Sequence, residues 1–259
     1  MANGKVYIVG AGPGDPELIT LKGKRAIEEA DIIFYDRLIN KQLLSYAKKD
    51  ALLIYAGKEP NNHTIVQEEL NQLLVWHAQL GNIVTRLKGG DPFIYGRGSE
   101  EAEVLDQHQI PFEIIPGITA GIAAPAYAGI PVTHRNVSNG FTVITGHDQS
   151  IEQINWDLFI KEKHTLIIYM GMKNLSKIID KLSNHGINTE TPIALVQWGT
   201  TSKQKCVTGT LETICLEAES HQISNPAIII IGDVVRFHQP LNWFNQIGIQ
   251  EQLMELSVK

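Results

Sequence analysis

The chain has 259 residues, of which 43% are apolar and 19% are charged, and its formal net charge is -6. This composition is typical of a globular protein with a well-filled core, and it excludes wholesale disorder. Proteins that bind nucleic acid through its phosphates usually carry a basic excess, so the negative net charge disfavours RNA or DNA as a partner.

The sequence also predicts a cytoplasmic protein without a membrane segment. No signal-peptide pattern precedes the first apolar run, Val6–Val9, and no apolar run approaches the length of a membrane span. The two cysteines, Cys206 and Cys215, are too few for a disulfide framework. The nine histidines are scattered, without the spacing of a metal-binding motif, so we expect no metal site.

In the first half of the chain, short apolar runs alternate with longer segments of helical periodicity. The predicted strands are Val6–Val9, Ile32–Tyr35, Leu52–Tyr55, Ile83–Leu87 and Phe112–Ile115. The predicted helices are Glu17–Ala30, Thr64–Leu80 and Ser99–His108. This alternation predicts a mainly parallel sheet with helices on both faces.

A second series of elements follows Pro116-Gly117. It begins with a helix rich in alanine and glycine, Thr119–Gly129. The predicted strands after it are Phe141–Thr145, Thr165–Tyr169, Ile193–Gln197, Cys206–Thr210 and Ala227–Ile231, and the predicted helices are Asn174–His185, Leu211–His221 and a short one after Pro240. We therefore expect an α/β fold of two domains, residues 1–117 and 118–259, each with a mainly parallel or mixed sheet.

Clusters of Gly, Pro and Asp follow each of the first five predicted strands. They are Gly10–Pro16, Asp36-Arg37, Gly57-Lys58, Gly89–Pro92 and Pro116–Ala120. Ligands of open α/β sheets bind beyond the carboxyl ends of the strands. The clusters are therefore predicted to meet at one ligand-binding edge.

The first cluster differs from a dinucleotide-binding loop, which would read G-x-G-x-x-G at this place. Pro13 and Pro16 have no backbone N–H, so the loop is a poor phosphate cradle. Asp15 followed by Pro16 is instead typical of a helix start. Two interpretations stay open: a simple turn, or a turn that faces a nucleoside-type ligand without phosphates.

The segment Leu87–Gly98 is the most specific. Gly89 and Gly90 remove two Cβ atoms at a strand end, so a ligand can touch the backbone there. Asp91 can accept hydrogen bonds or face a cationic group. An ordinary Gly-Gly-Asp-Pro turn is the alternative.

The motifs together resemble one family. They are Val9–Pro16, Tyr35–Leu38, Gly57-Lys58, His63–Leu74, Leu87–Arg97, Pro116–Ala120, Pro131–Arg135 and Tyr169–Gly171. In this order, and over about Lys5 to Val235, they resemble the uroporphyrinogen-III C-methyltransferases of the tetrapyrrole methylase superfamily.

The resemblance implies two α/β domains with S-adenosylmethionine bound in the cleft between them, and a homodimer. The implied reaction is methylation of uroporphyrinogen III at two ring carbons to give precorrin-2, for siroheme or cobalamin. The implied cofactor contacts are Pro13, Gly89, Gly90, Asp91, Ile94, Thr119, Ala120, Met170, Gly199 and Ala227, the last two on a looser match.

The resemblance also implies the residues that transfer protons. Asp36 and Lys58 match the family's proposed proton acceptor and donor. Without the resemblance, the residue types alone favour an Asp36 cap or an Asp–Lys surface pair. Arg97 is expected to bind a substrate carboxylate by charge-assisted hydrogen bonds.

Some positions depart from the family pattern. Tyr95 stands where Phe is usual, Ser99 where Gly is common, and Asn136–Gly140 replaces the usual run after Arg135. The departures bear on substrate contacts in the loop after Arg135 more than on the cofactor site. Two alternative functions also stay open: a methyltransferase of the same fold with a precorrin or other substrate, and a non-catalytic binder of adenosyl compounds.

Overall fold

A computed structural model describes residues 4–57, 65–159 and 164–244. The chain divides into two compact units, Met1–Ala120 and Gly121–Lys259. Within the described ranges, every helix is too short or too polar to cross a bilayer.

The first unit contains one parallel sheet of five strands. The strands are β1 Lys5–Gly10, β2 Ile32–Tyr35, β3 Leu52–Tyr55, β4 Ile83–Lys88 and β5 Phe112–Ile115, and the helices are α1 Leu21–Glu29, α2 Gln67–Gln79 and α3 Gly98–Gln107. The spatial order of the strands is β3-β2-β4-β1-β5, and every pairing is parallel. The parallel sheet expected for this half of the chain is confirmed.

Alternate residues of these strands enter two separate cores because successive side chains of a strand point to opposite faces. Ile8 and Phe34 pack with Leu74 of α2 and Leu105 of α3 on one face. Val9, one residue along from Ile8, packs on the other face in a core formed largely by α1 and the 3-10 turn Lys41–Tyr46. The sheet is thus covered on both sides, as parallel sheets usually are.

The predicted helix Glu17–Ala30 is wrong in one respect, because two structures occupy this range. A 3-10 turn, Pro16–Leu18, begins where Asp15 accepts a hydrogen bond from the Glu17 amide at 2.9 Å. The helix α1 starts only after Thr20, whose hydroxyl accepts from the Gly23 amide at 3.0 Å. The Thr20 hydroxyl satisfies one of the free N–H groups of the first turn and so fixes the later start.

The second unit contains a mixed five-stranded sheet. Its strands are β6 Phe141–Thr145, β7 Thr165–Tyr169, β8 Pro192–Gln197, β9 Lys205–Thr210 and β10 Ala227–Ile231, and the helices are α4 Ala120–Tyr127, α5 Asp148–Ile151, α6 Leu175–Asn184, α7 Ile214–Ser220 and α8 His238–Leu241. The order is β6-β7-β10-β8-β9, and only β6 and β7 pair in parallel. The helix expected after Pro240 falls largely outside the described residues.

Candidate active site

The loops after β1 and β4 pair with each other beyond the end of the sheet. The Ala11 amide donates to the Lys88 carbonyl at 2.7 Å, and Gly12 and Gly90 exchange two backbone hydrogen bonds of 3.2 and 2.7 Å. The Ala11 and Gly12 amides are therefore already satisfied by Lys88 and Gly90. This bonding, together with Pro13, makes the loop unsuited to phosphate.

Glycine is required where the loops after β1, β4 and β5 meet. A Cβ on Gly10 would lie 2.5 Å from the Gly117 nitrogen, and a Cβ on Gly117 would lie 2.3 Å from the Gly90 oxygen. No side chain fits at such distances, so the three backbones pack directly against one another.

Asp91 joins two of these loops. Its Oδ1 accepts a hydrogen bond from the Phe93 amide at 2.8 Å, and its Oδ2 accepts one from the Gly117 amide at 3.1 Å. Both carboxylate oxygens therefore bind backbone N–H groups. Asp91 holds the loop after β4 against the loop after β5, in addition to any contact that it makes with a ligand.

Gly90, and not Gly89, faces open space. A Cβ on Gly90 would have the Ala120 nitrogen at 3.8 Å and the Thr119 Cα at 3.9 Å as its nearest neighbours, whereas a Cβ on Gly89 would meet the Leu38 Cβ at 3.1 Å. Gly90 has φ +68°, which also favours glycine. The structure thus brings Gly90, Thr119 and Ala120 together around one open position.

Several large apolar side chains are exposed on the loops at this edge. They are Leu38, Phe93, Ile94, Tyr95 and Ile118, with exposures of 38% to 54%. Exposed apolar groups that cluster in this way are typical of a ligand-binding surface. Ile94 thus joins the other candidate residues at the carboxyl edge of the first sheet.

Asp36 follows β2 and forms an ion pair that the sequence did not reveal. Its Oδ1 accepts a hydrogen bond from Arg86 Nη2 at 2.6 Å, and the side chain of Arg86 is only 3% exposed. Arg86 Nε and Lys88 Nζ both donate to Glu101 Oε1, at 3.0 and 2.8 Å, and Glu101 is fully buried. We call Asp36, Arg86, Lys88 and Glu101 the buried charge cluster.

Burial and neighbouring charges shift the pKa values of both cations in the cluster. Burial opposes the charge of Arg86, but Glu101 and Asp36 outweigh it and hold the pKa of the guanidinium above its ordinary value. Burial, together with Arg86, lowers the pKa of Lys88 against the opposing effect of Glu101 and Asp36. The signal for this cluster in the sequence was a pair of basic residues at alternating positions of an otherwise buried strand.

Arg97 already has a carboxylate partner. Its Nε and Nη2 donate to the two oxygens of Glu100 at 2.9 and 2.6 Å, and both side chains are about half exposed. A substrate carboxylate at Arg97 would therefore share the guanidinium with Glu100 or displace it. Lys58, the expected proton donor, lies outside the described residues.

The candidate residues of the second unit lie at one edge of its sheet. Met170 follows β7 and is 48% exposed, and Gly199 follows β8. Ala227 starts β10 and pairs with Gln197 of β8. On the other side of β10, Ile229 pairs with Ile168 of β7, and the same register continued by two residues places Ala227 opposite Met170. Gly199 also has a packing role, because a Cβ there would lie 2.5 Å from the Ala124 Cβ.

Backbone strain marks the same loops in both units. Of the described non-glycine residues with left-handed φ, Gln109 and Gln222 lie just after the ends of α3 and α7, where such a conformation is common. The others follow β4, β7 or β8: Tyr95, Arg97, Met170, Trp198 and Thr200. Strained residues of this kind cluster at functional sites.

The sequence profile of the tetrapyrrole (corrin/porphyrin) methylases matches residues 5–215. The chain belongs to this family. It is 59% identical over 236 residues to a uroporphyrinogen-III C-methyltransferase of Priestia megaterium, a match that covers 90% of the chain and 99% of the relative.

Two further members of the family are similar over most of the chain. A siroheme synthase of Nitrosomonas europaea is 47% identical over 93% of the chain, which matches 51% of that longer protein. The crystal structure of uroporphyrin-III C-methyltransferase from Thermus thermophilus with S-adenosylhomocysteine superposes with a TM-score of 0.76 at 36% identity, covering 90% of the chain and 94% of that structure.

The open position beside Gly90 gives a direct test of the candidate site. Gly90→Ala adds one methyl group where we expect a ligand, so affinity for S-adenosylhomocysteine should fall roughly tenfold or more. The left-handed backbone should also cost about 1–2 kcal/mol of stability. Isothermal titration calorimetry and thermal unfolding measure the two effects.

Gly186→Ala is the matched control. Gly186 also has a left-handed φ, of +92°, with nothing within 4 Å of its Cβ position, and it precedes β8, at the edge of the second sheet opposite to Gly199. The control should lose similar stability and keep its affinity. Equal affinities for both variants would show that Gly90 does not line the site.

Proposed function

We propose that this tetrapyrrole methylase transfers methyl groups from S-adenosylmethionine to two ring carbons of uroporphyrinogen III and so forms precorrin-2, in siroheme and cobalamin biosynthesis. The observation that carries this proposal is the 59% identity with a uroporphyrinogen-III C-methyltransferase over 99% of that enzyme's length. The chain is an S-adenosylmethionine-dependent methyltransferase, and the tetrapyrrole is its substrate.

The first unit fits a nucleoside ligand without phosphates. In the loop after β1, the Ala11 and Gly12 amides donate to the Lys88 and Gly90 carbonyls, and Pro13 has no N–H. Beside it, the open position at Gly90, Thr119 and Ala120 lets a flat ligand lie against the backbone. We assign the cofactor to Pro13, Gly89, Gly90, Asp91, Ile94, Thr119 and Ala120, with Met170, Gly199 and Ala227 as further contacts.

The exposed side chains fit the substrate. A tetrapyrrole combines apolar ring faces with carboxylate side chains, and the edge of the first sheet offers Phe93, Tyr95 and Leu38 as apolar surface. Arg97 is the proposed carboxylate contact, with the fork geometry that binds carboxylates in a bidentate manner. In the structure this fork binds Glu100 at the start of α3, so a substrate carboxylate would share the guanidinium with Glu100 or displace it.

The chemistry requires a base more than it requires a nucleophile on the protein. S-adenosylmethionine supplies an electrophilic methyl group when bound. The electron-rich pyrrole carbon supplies the electron pair of the new C–CH3 bond, and the electron pair of the broken S–CH3 bond would leave with S-adenosylhomocysteine. The protein therefore contributes mainly alignment to this step. The methylated ring then loses a proton from a neighbouring carbon, and the C–H electron pair restores the neutral conjugated system. We assign Asp36 as the base that accepts this proton. Lys58 is assigned as the proton donor because it matches the family's proposed donor.

A cytoplasmic location and a homodimer complete the proposal. Both follow from the sequence and the family resemblance. Size-exclusion chromatography with light scattering decides the oligomeric state.

The product of the reaction tests the proposed function. Incubation of the purified protein with S-adenosylmethionine and uroporphyrinogen III, followed by oxidation and mass spectrometry, should give a tetrapyrrole with two added methyl groups. A methylated product from a precorrin but none from uroporphyrinogen III would point to another member of the family. Binding of S-adenosylhomocysteine without any methylated product would indicate a non-catalytic binder.

The role of Asp36 can be tested separately. Asp36→Asn keeps the size of the side chain but removes the base, so kcat should fall by roughly 10²–10⁴-fold. Affinity for S-adenosylhomocysteine should stay near normal because the proposed cofactor contacts are other residues. Steady-state kinetics and calorimetry make the comparison. A raised KM with near-normal kcat would instead mean that Asp36 only helps to hold the substrate.

A further inference from the structure

The buried charge cluster connects α3 to the end of β2. Arg86 and Lys88 lie two residues apart on β4, so their side chains share one face of the sheet. On that face they meet Glu101 of α3, and both cations and Glu101 are at most 3% exposed at the side chain. Asp36 is the most exposed member, at 28%, so the cluster reaches the carboxyl edge of the sheet through Asp36.

Arg86 is held in one orientation. Its Nε donates to Glu101 Oε1 at 3.0 Å, and its Nη1 donates to the Leu87 carbonyl at 3.4 Å. Because the guanidinium is planar, these two bonds also fix the direction of Nη2, which donates to Asp36 Oδ1 at 2.6 Å. The orientation of the Asp36 carboxylate therefore depends on Arg86.

Glu101 is the anchor of this arrangement. Its Oε1 also accepts from Lys88 Nζ at 2.8 Å and from the side-chain Nε2 of Gln67 at 3.2 Å, and the same Nε2 donates to Asn71 Oδ1 at 3.0 Å. Its buried Oε2 has no hydrogen-bond partner among the described residues. A carboxylate held by α2, α3 and β4 together has little freedom to move.

Stability alone does not explain the cluster. Moving charges out of water is costly, and apolar side chains of similar volume often stabilise a core as well as a buried ion pair does. The incompletely bonded Glu101 adds to that cost. What the charges provide, and apolar residues would not, is a directed hydrogen bond to Asp36.

We propose that Arg86 positions the Asp36 carboxylate for proton transfer and that Glu101 positions Arg86, an inference that rests on the proposed role of Asp36 as the base. Arg86 occupies Oδ1. The Asp36 carboxylate accepts no other hydrogen bond within the described ranges, so we assign Oδ2 as the oxygen that takes the proton from the substrate carbon. Arg86 and Glu101 are positioning residues, since neither touches the reacting atoms.

A double-mutant cycle tests this dependence. Arg86→Lys keeps the charge of the cluster, but a single Nζ cannot bind Asp36 and Glu101 in the fixed geometry of the fork. We expect kcat to fall by roughly 10–100-fold, with KM for uroporphyrinogen III and affinity for S-adenosylhomocysteine near normal. In the Asp36→Asn background the same change should lower kcat little further, because the group that Arg86 positions is already gone.

Glu113→Gln is the matched control. Glu113 on β5 of the same sheet also binds two cations, Lys5 and Lys22, but it is partly exposed and belongs to no site described above. The Glu113→Gln variant should keep normal kcat.

Glu101→Asp is a second variant, for the case that Arg86→Lys does not fold. It keeps the negative charge but shortens the side chain by one methylene, so the carboxylate no longer reaches Arg86 as before. It should reproduce the loss of kcat.

The outcomes separate the two levels of the proposal. Near-normal kcat in Asp36→Asn alone would overturn the base role and, with it, the positioning role. A large loss in Asp36→Asn, combined with an equal additional loss from Arg86→Lys in both backgrounds, would overturn the positioning role only. Normal kcat in the folded Arg86→Lys and Glu101→Asp variants would also overturn the positioning role only.

Discussion

Direct packing of backbone against backbone at the carboxyl edge of the first sheet is the constraint on which the candidate site depends. A Cβ on Gly10 or on Gly117 would lie within 2.7 Å of the backbone of the neighbouring loops, so no side chain fits at either position. The loops after three neighbouring strands are thereby held together, and the Ala11 and Gly12 amides of the first loop are bonded to Lys88 and Gly90. The edge that results opens at Gly90, and two amides of its first loop are already bonded, which suits an adenosyl ligand better than a phosphate.

A second constraint is electrostatic. A parallel sheet covered on both faces normally buries apolar side chains, yet β4 carries Arg86 and Lys88 on the face that α3 covers. These charges are tolerated because Glu101 and Asp36 pair with them. The glycines of the loops thus shape the ligand site because they carry no side chains. The buried charge cluster orients the one carboxylate that is proposed to react.

Much of the first unit could be predicted from the sequence because its information is local. The apolar runs Ile32–Tyr35 and Leu52–Tyr55 have the same bounds in the structure as in the prediction, and turn residues mark every strand end. The later start of α1 depends on which of two capping side chains, Asp15 or Thr20, begins the helix. Both are good capping residues, and the Asp15-Pro16 pair predicted the earlier start, but Asp15 caps only the 3-10 turn.

The features that could not be predicted from the sequence depend on tertiary contacts. Nothing in the residue types distinguishes Gly89 from Gly90, because the direction of a Cβ depends on φ and on the neighbouring loop. The pairing of Arg86 with Asp36 and Glu101 joins residues from three separate elements, and the antiparallel pairings of the second sheet depend on how distant strands meet. The family resemblance supplied the candidate residues, but it did not show which carboxylate Arg97 holds.

Hydrogen–deuterium exchange with and without S-adenosylhomocysteine tests the central claim most directly, namely that the edge containing Gly90, Thr119 and Ala120 holds the cofactor. At saturating ligand, exchange should slow in peptides that contain Gly89–Asp91 and Thr119-Ala120, while the turn at Gly186 should exchange as before. Unchanged exchange at Gly89–Asp91 and Thr119-Ala120, with slowing elsewhere at the same saturation, would contradict the account.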